Sequence, residues 1–356
     1  MYPRLNLDAV KLMDNIYTLD SKLRNEDIEM FAVTKVFLSE PKVVEYYMRM
    51  GVLYIADSRI LNLKKLYELP CFKVLLRSPM ASEIADVIKY SDISFNTEVE
   101  TIKLLNEEAK KQDKTHKIML MIDFGDLREG YFGYEATKNA IKQIKDLSNI
   151  EIYGLGTNHK CYAGVIPDAH VMDLLIGYAL KLESEFKINF KFLSGGNSST
   201  LYMLGTGAFQ GINSLRIGES IITGKEMAFE NHIEGMEEDV FYLEAQIVEL
   251  KTKPSIPLGR LGNTAFGHMA EFVDRGNRKR AIIALGKLDL PTESIRPFDD
   301  KAIILGASSD HTIIDVHDCD VDYKVGDIMK FHLTYSGILL ASSSDYVHKN
   351  IIDLKV

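Results

Sequence analysis

One lysine of this sequence stands in surroundings that penalise a charge. Lys35 lies in the apolar run MFAVTKVF (residues 30 to 37), flanked by Val33, Thr34, Val36 and Phe37. A lysine there is desolvated unless its stem carries the ammonium out to water. Desolvation lowers an amine's pKa and frees it to attack carbonyl groups, so Lys35 reads either as a Schiff-base amine or as a lysine that snorkels from a strand end. Farther along, SGGNSST (194 to 200) joins two glycines to the side-chain donors of Asn197, Ser198 and Ser199, and a later run ends in LRIGES with Arg216, Gly218 and Glu219. Glycine loops with hydroxyl and amide donors cradle phosphate. The bland counterpart is a Gly-Gly turn followed by a helix N-cap at Ser198 or Ser199.

The elements that must position these residues can be counted. Eight short β-branched runs alternate with amphipathic stretches: MFAVTKVF, VLYIADS, FKVLLRS, DISFNT, KIMLMIDFG, IEIYGLGTN, FKFLSGG and NSLRIGE. Between them lie helical patterns such as PKVVEYYMRMG, with Pro41 at its start, EVETIKLLNEEAKKQ and PDAHVMDLLIGYALKLESEF. The count and spacing predict an α/β chain whose N-terminal part is a (β/α)8 TIM barrel, with a doubly wound sheet as the alternative. Barrel sites form where strands end, and phosphate sits after strands seven and eight, which is where SGGNSST and LRIGES fall. LDAVKLMDNIYTLDSKL would be a helix preceding the first strand. Past Gly224 the texture becomes strand-like, in DVFYLEAQIVEL, KRAIIALG, KAIILGASSDHTIIDV, DIMKFHLTY and GILLASSSDYV. The expected domains are residues 1–225, a barrel whose first few residues pair with the second domain, and 226–356, a C-terminal mostly-β domain. The acidic stretch MAFENHIEGMEED would connect them.

Composition narrows the function classes. At 356 residues, 46% hydrophobic and 26% charged, the chain has ample core for two domains and none of the bias of a disordered one. A formal net charge of -9 disfavours nucleic acid, the short cluster Arg275, Arg278, Lys279 and Arg280 reading as a solvated strand entry. Three cysteines, Cys71, Cys161 and Cys319, at no metal-like spacing suggest a reducing compartment, the cytoplasm, without disulfides and without a metal. No secretion signal or membrane span is legible. GTGAFQG lacks nucleotide-loop spacing, and HDCD is too compact for zinc.

An amine on strand one and a phosphate cradle at strands seven and eight describe a site for pyridoxal 5'-phosphate, whose aldehyde and phosphate lie at opposite ends of a flat ring. Here the sequence resembles a family. MYPRLNLDAVKLMDNI, AVTK, IDFGDLREG, GLGTN, SGGNSS and LRIGESIITG, in that order, are similar to the alanine-racemase-like, fold-type-III enzymes that use this cofactor. SSDHTIIDV and GDIMKFHLTY extend the likeness into the second domain. IADSRILNLKKL, CYAGVIP, FVDRGNRKRAIIALG and ILGASSDHTIIDV resemble the members that racemise ornithine, which implies ornithine or another basic amino acid as substrate, with alanine as the alternative.

The resemblance also implies roles. Lys35 would hold the cofactor and move the Cα proton on one face of the substrate. Arg216 would face the pyridine nitrogen and keep it unprotonated. Ser198, with Asn197, Ser199 and the backbone of Gly218 and Glu219, would hold the phosphate, Tyr335 being a further candidate. Arg128 in DLREG would sit near the cofactor hydroxyl and the substrate carboxylate, and Arg77 is a second carboxylate binder. Two departures stand out: Asn158 replaces the family's histidine after strand six, with His159 adjacent, and Lys287 in ALGKLDL stands where the family has a catalytic tyrosine. Racemisation needs an acid/base on each face. Cys161, His311 beside Asp310, and Lys287 are the candidates for the second, thiol and imidazole having pKa values nearer neutrality than lysine. A distal carboxylate for a basic side chain could be Glu129, Asp126 or Asp310. The family implies a homodimer with sites shared between subunits. Competing readings are a decarboxylase of the same fold, which would place a glutamate where Arg216 stands, a cofactor carrier lacking the second domain, and a sugar-phosphate barrel, which leaves Lys35 unexplained.

Overall fold

The structure, a computed structural model, describes residues 1–263, 267 and 272–353. They form two compact units, one of Ala9–Glu238 and one of Met1–Asp8 with the chain from Asp239 onward.

The first unit is a closed parallel barrel. Its strands are β1 (Glu29–Val33), β2 (Tyr54–Asp57), β3 (Phe72–Leu75), β4 (Ile93–Asn96), β5 (His116–Asp123), β6 (Ile150–Thr157), β7 (Phe192–Asn197) and β8 (Ser214–Ile217). Each pairs in parallel with its neighbour, and β8 returns to β1 with Arg216 opposite Phe31, so no edge is left open along the ring. Strands buried on both faces carry apolar residues continuously, which is why all eight were readable as runs. The first differs in one respect: the strand stops at Val33, and Lys35–Phe37 form a 3-10 turn beyond it. Lys35 is therefore a half-buried residue of the barrel rim rather than part of the strand wall.

Inside the barrel, Phe31, Val33, Ala56, Val74, Ile93, Phe95, Met119, Met121 and Phe192 make one cluster. Its lower end is aromatic: Phe31 stacks on Tyr54 at 4.6 Å, Tyr54 on Phe72 at 4.8 Å, and Phe192 meets Phe31 edge-on at 5.0 Å. This packing explains Gly154 of β6, since a Cβ there would lie 2.1 Å from the Phe192 carbonyl oxygen and 2.8 Å from Met119. The long helix Ala169–Phe186 opens with Asp168 accepting from the Val171 amide at 3.1 Å, a side-chain N-cap. The helix Ala9–Arg24 precedes β1 as expected, and its fully buried Asn15 bonds Ile221 O and Glu237 O, both at 2.8 Å, and accepts from Glu237 N at 2.6 Å. Residues 226–238, read as a connector, accordingly belong to the barrel unit.

The second unit is built on an eight-stranded sheet. Its longest strand, Phe241–Pro254, pairs along its first half with Ile328–Leu333 and along its second half with Asn277–Ile283. Arg4–Asp8 also joins this strand, antiparallel, and pairs in parallel with His348–Ile352, burying Leu5 and Leu7. One run departs from its sequence reading: GILLASSSDYV is largely helix, Tyr335–Ser343, started by Thr334 accepting from the Gly337 amide at 3.2 Å. Among the described residues no helix is long and apolar enough to cross a membrane, and no cluster of metal-binding side chains occurs.

One core contact sets a pH limit. His116, fully buried at the start of β5, lies 2.8 Å from Ser94 Oγ, which itself accepts from Asn96 Nδ2 at 2.9 Å. With one proton and a second lone pair left, Ser94 Oγ can either donate to His116 Nε2 or accept from it, and both suit a neutral imidazole. Burial, with Lys114 nearby, pushes this histidine down to about 3. The unfolded chain takes up a proton below about pH 6.5 whereas the fold does not, so stability falls as pH drops through that window. Denaturant melts should show a loss of about 3 kcal/mol from this group between pH 6.5 and 4, and His116→Gln should flatten that slope.

Candidate functional site

Closure of a parallel barrel places every strand's C-terminal end on one rim, and the polar residues of the sequence collect there. At its centre is Arg216 of β8, fully buried. Its Nη1 donates to Ser194 Oγ at 2.6 Å, and its Nη2 donates to Thr157 O at 2.6 Å and Asn158 Oδ1 at 3.3 Å, while the guanidinium carbon stands 4.9 Å over the Phe95 ring. These acceptors are neutral, so burial depresses Arg216 to about 10, which still leaves it cationic at neutral pH.

Asn197 ties this centre to the loop after β6. Its Nδ2 donates to Asn158 Oδ1 and His159 O, both at 2.9 Å, and reaches Cys161 Sγ at 3.4 Å. Its Oδ1 accepts from Ser199 N at 2.7 Å, capping the 3-10 turn Ser198–Met203, so the cap is Asn197 and not a serine. Ser198 Oγ accepts from the Ser220 amide at 3.3 Å, joining the ends of β7 and β8. Beside it, the hydroxyl oxygens of Ser199 and Ser220 are buried with no hydrogen-bond partner, as is Asn158 Nδ2. Such atoms carry a penalty until something bonds them. Gly218 lies against β1, where a Cβ would come within 2.8 Å of the Val33 carbonyl oxygen, and the helix Glu219–Thr223 begins there without a side-chain cap. Burial pushes the Glu219 carboxyl up, with Lys35 and Lys160 pulling the other way, and β1, which leads into Lys35, pairs with β8.

The rim thus gathers Lys35, Asn158, Cys161, Asn197, Ser198, Ser199, Arg216, Gly218 and Glu219. Arg128, in the loop after β5, is ion-paired with its neighbour Glu129 and is partly exposed. Arg77 is turned to Glu83, Nη2 to Oε2 2.9 Å, with its Nε buried and unbonded. Lys287, Asp310, His311 and Tyr335 lie in the second unit. Lys287 N donates to Ser308 O at 2.9 Å, which brings that lysine next to the exposed turn carrying Asp310 and His311, and Tyr335 begins the helix Tyr335–Ser343.

Several residues that organise the rim were not singled out from sequence. Thr157, Ser194 and Phe95 are inward-facing strand residues whose contact with Arg216 no local motif announces. His159, noted in the sequence only as the neighbour of Asn158, is fully buried, its Nε2 3.1 Å from Thr157 Oγ1, and burial lowers its pKa. Lys160, at φ 64, reaches back to the carbonyl oxygens of Met227 and Ala228. Asp126, considered as a distal carboxylate, is 1% exposed and accepts from Tyr162 N at 3.1 Å and Val165 N at 3.2 Å. It shapes the Cys161 loop from within, as Asp123 shapes the preceding loop by accepting from Gly125 N at 2.8 Å and Leu127 N at 3.1 Å.

Replacing Asp126 by Ala leaves two loop amides without acceptors. Hydrogen exchange at Tyr162 and Val165 should then quicken by about tenfold or more, corresponding to about 1.4 kcal/mol or more of local stability; unchanged protection at both would separate Asp126 from loop order.

The chain is similar in sequence and in fold to known proteins. Residues 6–225 match the family described as alanine racemase, N-terminal domain. The chain is 45% identical over 353 residues to ornithine racemase of Acetoanaerobium sticklandii, covering 99% of this chain and all of the relative. It is 37% identical over 354 residues to lysine racemase of Thermotoga maritima, covering 98% of each. Among solved structures, alanine racemase from Bartonella henselae with covalently bound pyridoxal phosphate superimposes with a TM-score of 0.76 at 17% identity, over 99% of this chain and all of that one, a likeness of fold. The chain belongs to the alanine-racemase-like family of fold-type-III enzymes.

Proposed function

We propose that this protein is a pyridoxal-phosphate-dependent amino-acid racemase that interconverts the L- and D-forms of a basic amino acid, ornithine foremost. The observation that carries the reading is the set gathered at one barrel mouth: the Lys35 amine after β1, the buried Arg216 guanidinium on β8, and the unbonded hydroxyls of Ser199 and Ser220 at the ends of β7 and β8. The full-length likeness to ornithine and lysine racemases supports the substrate class.

The residues fit the cofactor. Ser198, Ser199 and Ser220, with the backbone at Gly218 and Glu219 and the support of Asn197, would hold a phosphate in a dry setting where a dianion satisfies otherwise idle donors. Arg216 would offer an N–H to the ring nitrogen, and a permanent cation there keeps that nitrogen unprotonated. A glutamate at this position is what a decarboxylase of the same fold would need, and Arg216 argues against it. When bound, the cofactor supplies an electron sink for the pair left at Cα. Lys35 Nζ would remove and return the Cα proton on one face. On the other, Cys161 is the candidate within the barrel unit, exposed and held near Asn197, while Lys287 and His311 beside Asp310 are those of the second unit. Arg128 is assigned to the substrate carboxylate, with Arg77 in reserve and Tyr335 as an additional phosphate ligand. Asp126 is committed to loop amides, so Glu129 and Asp310 are left for the substrate's distal cation.

We further propose a homodimer. Leu127, Phe132, Tyr162 and Phe229, all more than half exposed, lie on the segments that follow β5, β6 and β8 and offer apolar surface to a second copy. The three cysteines are free, which supports a reducing, cytoplasmic setting.

The test is spectroscopic. The purified protein should show a visible band that collapses on borohydride reduction, with pyridoxyl mapped to Lys35, and should racemise ornithine; Lys35→Ala should abolish both. Cys161→Ser, His311→Asn and Lys287→Met should be followed by Cα proton exchange from each enantiomer, the second base being the residue whose loss slows one direction of exchange by about 100-fold or more. A protein left colourless and unlabelled by added cofactor would overturn the reading.

A further inference from the structure

The turn that carries Lys35 has an unusual backbone. Leu38 (φ 57) and Ser39 (φ 48) follow one another in the left-handed region, a conformation disfavoured for two successive residues with side chains. Local hydrogen bonds hold it only in part: Phe37 N and Ser39 N both reach Thr34 O, at 3.3 and 3.2 Å, and Leu38 N reaches Lys35 O at 3.1 Å. Lys65 Nζ donates to Leu38 O at 2.8 Å, and the remaining side-chain constraint comes from the next strand. Asp57, the last residue of β2, accepts from Ser39 Oγ at 2.7 Å, and Ser39 Oγ lies 2.8 Å from Thr34 Oγ1. Thr34, Ser39 and Asp57 are each 0% exposed.

Hydroxyl accounting fixes the direction of this chain. The Ser39 proton goes to the carboxylate, so Ser39 can only accept from Thr34, whose single proton is shared between Ser39 Oγ at 2.8 Å and the Ala56 carbonyl oxygen of β2 at 3.2 Å. The three residues form a relay ending on Asp57. The carboxylate is itself held, Oδ1 by Arg59 N at 2.8 Å and both oxygens by Asn62 Nδ2 at 3.1 Å. Burial works against its ionised form, and the donors from Ser39, Arg59 and Asn62 favour it. None of this is needed to close the barrel, because β1 and β2 pair through their backbones at Phe31, Ala32 and Val33.

We propose that Asp57 is a positioning residue for Lys35: acting through Ser39 and Thr34, it clamps the left-handed turn that aims the lysine from the barrel rim. The inference rests on Lys35 being the reactive lysine of the proposed function. Asp57→Ala removes the end of the relay and should cut kcat by about 10- to 100-fold with KM within about twofold, because the proton-moving group is misaimed while substrate contacts stay. Asp57→Asn should recover most of the rate, since Asn can accept from Arg59 N and donate to Ser39, reversing the relay without breaking it. Ser39→Ala must hold φ 48 without the clamp, whereas Ser39→Gly adopts that angle freely, so the alanine variant should be the more impaired.

A second measurement does not need the cofactor. Competitive labelling of lysines by an acylating reagent, read by mass spectrometry, should show the reactivity of Lys35 changed severalfold in Asp57→Ala and restored in Asp57→Asn, with Lys42 unaffected as internal reference. Unchanged kcat and unchanged labelling in Asp57→Ala would overturn the proposal, as would a loss of melting temperature with Lys35 reactivity intact. If the wild-type protein neither binds the cofactor nor racemises, the functional reading fails, and the labelling still decides whether Asp57 aims Lys35.

Discussion

A guanidinium taken wholly out of water, with neutral acceptors around it, is the constraint on which the barrel mouth is organised. Arg216 draws on a β7 hydroxyl, a β6 carbonyl, an asparagine side chain and the face of a β4 ring. Each is a partial substitute for hydration, and together they oblige β4, β6, β7 and β8 to end at one level. Asn158 is the hinge of this arrangement, its single side-chain oxygen accepting from both Arg216 and Asn197. Through Asn197 the same demand reaches the Cys161 loop and the 3-10 turn at Ser199. A residue chosen for its charge thus fixes the geometry of residues chosen for their hydrogen bonds.

Much of this was legible in the sequence, for a physical reason. Buried parallel strands read as uninterrupted apolar runs, and the (β/α)8 order needs little beyond counting them. The polar residues that interrupt the end of such a run, Asn197 and Arg216 among them, then stand out. Legibility failed where the decisive contact is remote or the local signal points two ways. Val36 and Phe37 extend the apolar run past the true end of β1, so the turn at Lys35 was hidden by its own hydrophobic neighbours. Tyr335–Ser343 is rich in β-compatible residues, and the cue to helix was Thr334 as a cap. Arg4–Asp8 becomes a strand only because partners more than 230 residues away receive it.

Buried carboxylates show the same limit more sharply. Asp57 and Asp126 look alike in sequence, each an acid at or just past the end of a strand. In the fold one grips a turn through Ser39, Arg59 N and Asn62, and the other grips a loop through the amides of Tyr162 and Val165. An acid that accepts from backbone amides is indistinguishable from a catalytic or substrate-binding one until its donors are located. Lys287 and the Asp310–His311 turn offer the converse case: separated in sequence, they are brought side by side by the backbone bond from Lys287 to Ser308.

The loops after β5 and β6 owe their shape to Asp123 and Asp126, which grip them by main-chain amides. Because a main-chain amide is the same whatever side chain follows, outward residues of these loops such as Tyr162 can change without unmaking the loop. The scaffold is therefore evolvable at its mouth: a lineage can trade one amino-acid diet for another by exchanging a handful of loop side chains, while the fixtures behind them stay in place.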